Sequence, residues 1–122
     1  MIKDWAEIFK HVGTCDLTAY VNFQQIQEIA KKYSKEDKLV TMPSMPQGLF
    51  LESMGIRVRL ENLMQKATDQ SQRKLLEESY VRLCSPAEMG EIYKFLYIGH
   101  KDTGDIFPFL GEDTKRKEGY YG

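Results

Sequence analysis

This chain lacks the short motifs by which many enzymes announce themselves. Its nine glycines contain no G-x-G-x-x-G run and no P-loop spacing, which excludes the usual nucleotide and dinucleotide fingerprints. No G-x-S-x-G elbow is present to expose a nucleophilic serine. Histidine and cysteine are scarce, with two of each. His11 and Cys15 have metal-like helical spacing, but no second pair completes a tetrahedral site. His100 ends an apolar segment and reads as a surface histidine. Cys15 and Cys84 lie far apart and do not make a disulfide framework, so they read as free thiols in a reducing compartment. No apolar run reaches the roughly 20 residues a membrane-crossing helix needs. A net charge of −1 supplies no global attraction for nucleic acid or anionic lipid. The start, Met1-Ile2-Lys3-Asp4-Trp5, has neither a signal-peptide core nor an Arg/Ser-rich transit character. Either the protein acts where it is made, or Met1 is not the start of the parent protein.

What is there fits one modest domain. The 122 residues are 42% hydrophobic and 29% charged, ordinary for a globular chain. A short helical turn is expected over Asp4 to Phe9, broken by Gly13. Asn22 is a good N-cap, Gln25 sits at the capping-box position, and Val21 and Ile26 hold the staple positions. Phe23, Ile26, Ala30 and Tyr33 carry that helix to about Tyr33. After the charged turn Ser34 to Lys38, Leu39 to Met42 reads as a weak strand halted by Pro43 and Pro46.

A helical segment spans about 47–90. Gln47 to Met54 ends at Gly55, a left-handed stop. Ile56, Leu60, Leu63 and Met64 stripe a second helix, and Leu76, Tyr80, Leu83 and Cys84 a third. Ser85-Pro86-Ala87-Glu88 carries a helix-start signal, cut short by Gly90. Tyr93 to Ile98 is the clearest strand, apolar on both faces, and so reads as a central strand covered on two sides. Residues 101–122 read as a polar, mobile tail. Two strands make a marginal sheet. The missing strands are expected from a partner or from sequence before Met1.

Asp16-Leu17-Thr18-Ala19-Tyr20-Val21-Asn22-Phe23 concentrates short polar groups beside apolar ones at a helix entry. Asp16 and Thr18 are the polar pair with most chemical reach, although such residues also serve as plain turn formers. Gln47-Gly48 opens a helix after a proline turn, where backbone amides can meet an anion. Arg57 and Arg59 flank Val58; Arg59 could clamp a carboxylate or pair with a surface acid such as Glu52. Arg73, Lys74, Glu77 and Glu78 read as a solvated helix face. The methionines read as core filling, or as an adaptable docking surface if exposed.

The order of these motifs resembles a known family. Gly13-Thr14-Cys15-Asp16-Leu17-Thr18-Ala19-Tyr20-Val21-Asn22-Phe23 resembles the G-T-A-D-L-T-A-x-V-D-F signature of the MidA-like methyltransferases. These include the mitochondrial protein arginine methyltransferases that assist assembly of respiratory complex I. Gln47 to Leu60 resembles the family's Q-G-x-F-L-x-x-L-G-I-x-x-R block, and Arg82-Leu83, Met89-Gly90 and Tyr93-Lys94-Phe95-Leu96 resemble its closing pattern. The resemblance runs from about Gly13 to Ile98. It departs at Cys15, at Tyr20 and at Asn22, where the family usually has aspartate; Asn22 can cap a helix but cannot act as a carboxylate.

The resemblance implies an α/β fold: the C-terminal portion of a Rossmann-like, S-adenosylmethionine-dependent methyltransferase. It would be mostly helical, with a strong strand over 93–98 and a weak one over 39–42. Residues 1–100 would form this portion, with the helical segment inserted between strands. The cofactor's glycine-rich loop would lie outside the chain, so no cofactor-binding residue and no metal ligand is expected in it, and the isolated chain should be inactive. Asp16, Leu17, Thr18, Ala19, Asn22, Gln47 and Gly48 are the implied substrate-pocket candidates. The implied partners are a protein substrate, such as a complex I subunit, and the missing half that completes the sheet; nucleic acid is not expected. The implied location is the mitochondrion. The alternative is a non-catalytic adaptor derived from the same family.

Overall fold

Two arms of the chain, residues 39–46 and 94–100, run antiparallel, and the helical segment rises between them. This computed structural model describes residues 5–10, 12–14, 18–104 and 106–109. Strand β1 (Leu39–Thr41) pairs with β4 (Ile98–His100), with Val40 opposite Gly99. Strand β2 (Met45–Pro46) pairs with β3 (Lys94–Phe95), with Met45 opposite Phe95. Between the ladders the Met42 amide donates to the Tyr97 carbonyl at 3.2 Å, so the arms stay joined across the gap.

The single strand expected over 93–98 is therefore two short strands with different partners. The reason lies in the opposing arm. Pro43 lies in the gap between β1 and β2 and has no N–H to donate, so the ladder is interrupted there. Among the described residues each sheet has two strands and Lys94 and Ile98 are exposed, so this chain does not itself supply the covering expected on both faces.

The helices follow the local rules. Helix α1 (Trp5–Lys10) is followed by Gly13 at φ +84°. Helix α2 (Phe23–Tyr33) starts where the Asn22 carboxamide accepts the Gln25 amide at 3.1 Å. Helix α3 (Gln47–Ser53) ends at Gly55, whose φ of +88° is open to glycine at little cost. Helix α4 (Ile56–Lys66) follows at once. Helix α5 (Gln70–Cys84) is capped by Asp69, which accepts the Gln72 amide at 2.8 Å.

Helix α6 (Met89–Ile92) corrects the expectation for Ser85 to Glu88. Those residues form a turn: the Ser85 carbonyl accepts the amides of Glu88 at 3.0 Å and Gly90 at 2.9 Å. The helix then begins at Met89 and contains Gly90. A side chain there is sterically barred, because a Cβ on Gly90 would overlap the Cys84 carbonyl and stand 2.8 Å from the carbonyl carbon of Ser85. Gly48 approaches the same Cys84 carbonyl from α3. Three backbones thus meet at one point, which locks the helical segment onto its own base.

The core is small and aromatic. Phe50 stacks on Phe95 with ring centres 3.9 Å apart, and Phe109 leans on Phe50 and Tyr97. Met45, Cys84, Pro108 and Phe109 are buried, so the chain packs back onto the strand arms at Pro108 and Phe109. Residues 110–122 lie outside the described part. Elsewhere apolar groups stay uncovered. Helix α2 buries none of its residues, and Ile29 and Tyr33 are 48% and 70% exposed on it. Val58, Leu75 and Val81 are also exposed.

Candidate functional site

An open groove of about 470 Å³ lies where the start of α2 faces the ribbon. Tyr20 and Val21 form its lip and Phe23 its apolar wall; Ser44 and Lys94 come from the two ribbon arms. Gln27 ties the groove together. Its Nε2 donates to the Met42 carbonyl at 2.8 Å, which holds α2 against the link between β1 and β2. Gln24 donates to Glu28 at 3.1 Å along the same helix.

The groove is electropositive for two reasons. Lys94 is its one charged lining residue among the described residues. The second source is α2 itself, whose first turn carries no acidic side chain and whose opening amides have no partner one turn back. Asn22 satisfies the amide of Gln25, and its backbone carbonyl accepts Ile26 at 3.2 Å. Phe23 and Gln24 open the helix before those bonds begin.

The sequence candidates separate in space. Asn22 lines the groove, but its carboxamide is engaged in capping. Thr18 and Ala19 are exposed and lead into Tyr20. Asp16 and Leu17 lie outside the described residues, as does Cys15. Gln47 and Gly48 do not line the groove; they join helices. The Gln47 amide donates to the Tyr93 carbonyl at 2.8 Å, and its Nε2 donates to the Leu83 carbonyl at 2.9 Å. The groove also recruits Ser44, Gln27 and Lys94, which the sequence reading passed over. One signal for Lys94 was present: it is the single charge in the apolar run Tyr93 to Ile98.

A second polar cluster sits among α3, α4 and α5. The Tyr80 hydroxyl donates to Glu52, and Arg57 donates to Glu52 at 3.2 and 3.3 Å and to Tyr80 at 3.2 Å. Glu52 thus pairs with Arg57, not with Arg59. The bond and charge of Glu52 hold the Arg57 guanidinium above its ordinary value. Burial raises the Tyr80 phenol, with the Glu52 hydrogen bond adding to it. Burial also raises the Cys84 thiol, so this thiol stays protonated and unreactive. Each member has partners within the cluster, which reads as a clamp between helices. Lys74 and Glu78 pair at 3.7 Å on the outer face of α5. Among the described residues no group of histidine, cysteine, aspartate and glutamate could hold a metal ion, and no helix is long and apolar enough to cross a membrane.

No family model matches the chain. Curated relatives do. The chain is 38% identical over 84 residues to "Protein arginine methyltransferase NDUFAF7, mitochondrial" of Bos taurus, covering 69% of this chain and 18% of that protein. It is 37% identical over 83 residues to the Homo sapiens protein of the same name, covering 68% of this chain and 18% of the other. It is 36% identical over 84 residues to the Drosophila melanogaster homolog, covering 69% and 18%. The chain spans about a fifth of the length of these relatives. Their names place them in the mitochondrion, and by resemblance this chain with them. The chain belongs, as a stretch matching about a fifth of their length, to the family of the mitochondrial protein arginine methyltransferases.

Proposed function

We propose that this chain is the C-terminal, substrate-side part of a protein arginine methyltransferase of Rossmann-like fold. The whole enzyme would transfer a methyl group from S-adenosylmethionine to an arginine side chain during assembly of respiratory complex I. The observation that carries this reading is a likeness to a methyltransferase family confined to a stretch whose ribbon and α2 leave their apolar sides uncovered. Surfaces of that kind suit a fold completed by further strands.

The described residues do not fit the cofactor. S-adenosylmethionine carries a cationic sulfonium and a ribose diol that a carboxylate would bind. The groove lining offers Lys94 and amides in place of a carboxylate. Cys84 fills the space beside Gly48 and Gly90 and the Tyr97 ring that beside Gly99, while Gly13, Gly55 and Gly104 are open but stand singly at separate turns and form no glycine-rich loop. No step of the reaction is therefore assigned to these residues through the cofactor. Their contribution is to shape and position: an aromatic and amide-lined groove at the entry to α2, which in sequence follows the segment with Asp16 and Thr18. An acidic group there would orient a guanidinium by a charge-assisted bond.

Among the described residues the lining holds no carboxylate, and Asn22 stands at the family's acidic position; this favours one second reading, a non-catalytic adaptor built from the same fold. Calorimetry bears on both. Titration of S-adenosylmethionine into the isolated chain should give no heat of binding. A micromolar dissociation constant would overturn the division proposed here.

A further inference from the structure

Helix α2 is tied to the strand arms by a hydrogen bond near each of its ends. After its last turn the Ser34 hydroxyl accepts the Leu39 amide at 2.8 Å, which joins the helix to the start of β1. Just over one turn inside its other end, Gln27 Nε2 donates to the Met42 carbonyl at 2.8 Å. Both Gln27 and Met42 are half-buried, and the bond lies wholly within the chain. The sequence explains why that carbonyl is available. Residues of a hydrogen-bonded antiparallel pair ordinarily exchange two bonds. Met42 gives its amide to the Tyr97 carbonyl, Pro43 then halts the ladder, and Gln27 supplies the bond to the Met42 carbonyl. Phe23 and Ala30 share the Gln27 face of α2 and are also half-buried. Apolar contacts are non-directional and tolerate sliding. The Gln27 bond is directional, so it sets the angle of the helix.

We infer that Gln27 is a positioning residue for methyl transfer: its bond to Met42 holds the entry of α2, with Asn22 and the residues leading into it, at the angle the substrate-side wall requires. This rests on the methyltransferase reading and deepens it. Gln27 touches neither substrate nor cofactor in this role; it acts through the helix. Asn22 and Ser34 stand about 18 Å apart along a helix that rises about 1.5 Å per residue. Without the Gln27 bond, Ser34 remains as the polar anchor, and a swing of about 5° about it moves Asn22 by about 1.5 Å. A misplacement of about 1 Å costs on the order of 100-fold in rate when it disturbs the attack geometry.

Two measurements test it. The first needs no turnover. Spin labels are attached to Gln24→Cys and Glu91→Cys, both at exposed positions, in the full chain carrying Cys15→Ser, with Cys84 left buried. Gln27→Met keeps the side-chain length and loses the donor, so the distance between the labels should shift or broaden by at least about 1 Å. Gln27→Lys keeps a donor and should hold the parent distance. The second measurement is methyl transfer by the bovine relative carrying this chain's residues over the matched stretch. There Gln27→Met should lower kcat/KM for the protein substrate by about tenfold or more, and Gln27→Lys should restore most of it. The affinity for S-adenosylmethionine should stay within about twofold in both variants, whereas a general loosening of the fold would lower it as well. Three results would overturn the inference: a parent distance in Gln27→Met, a displaced α2 with parent kcat/KM, or a Gln27→Lys as impaired as Gln27→Met. A parent chimera without transfer sinks the methyltransferase reading alone, because the label distance still decides whether Gln27 sets the angle of α2.

Discussion

Gly90→Ala isolates the contact on which the helical segment is seated. The added methyl group would overlap the Cys84 carbonyl and approach the Ser85 carbonyl carbon to 2.8 Å. Neither is the free end of a flexible side chain. Both belong to the backbone at the end of α5, so α6 must move away. Overpacking a fitted site costs about 1–3 kcal/mol. Alanine returns up to about 1 kcal/mol, because glycine is the poorer helix former. Since the obstruction is backbone, the upper part of that range applies, and the net loss should be about 2 kcal/mol. At roughly 4 °C per kcal/mol, the midpoint should fall by about 8 °C. Urea unfolding followed by circular dichroism at 222 nm measures this directly. Glu77→Ala, on the exposed face of α5, is the control and should stay within about 0.5 kcal/mol. Gly48→Ala should also destabilise. The double variant should lose less than the sum, because both methyl groups displace the same carbonyl. A Gly90→Ala chain as stable as its parent would refute the three-backbone junction.

Two further variants test local claims. Asn22→Ala should cost about 1 kcal/mol and reduce helicity at the start of α2, read by circular dichroism, because the Gln25 amide loses its acceptor; no change would show that another group caps the helix. Tyr80→Phe should cost about 1 kcal/mol at neutral pH through the lost bond to Glu52. The Tyr80 phenol is held above its ordinary value of about 10 by burial and by Glu52, so the folded state holds that proton more tightly than the unfolded chain. Its stabilisation is complete below pH 10 and is lost as pH rises through the folded value. The gap between parent and Tyr80→Phe should therefore narrow in alkaline urea titrations, and a gap independent of pH would contradict the clamp.

How much was legible depended on range. Caps are written within four residues, so Asn22 and Gly55 could be read directly. The helix α2, the turn after it and β1 followed from periodicity and proline placement. The split of the strand over 93–98 was not legible in that segment, because its cause is Pro43 on the other arm. Gly90 was misread for a related reason. In isolation a glycine after a start signal ends a helix, and only the position of the Cys84 carbonyl explains a glycine inside one. The groove was half legible. Asn22 belongs to it, while Ser44 and Lys94 enter because two arms distant in sequence become neighbours. Gln47 and Gly48 were chosen for an exposed helix start, yet that start is closed by α5 and α6.

Methyl transfer by a chimera tests the central claim most directly. In it, the bovine relative carries residues from about Gly13 to Ile98 of this chain in place of its own matched stretch, and transfer of labelled methyl from S-adenosylmethionine to arginine is followed by mass spectrometry. If this stretch is the substrate-side part of a working methyltransferase, the chimera binds the cofactor and methylates arginine in the relative's own protein substrate. A chimera that folds and binds S-adenosylmethionine yet leaves arginine unmodified would contradict the account and favour the adaptor.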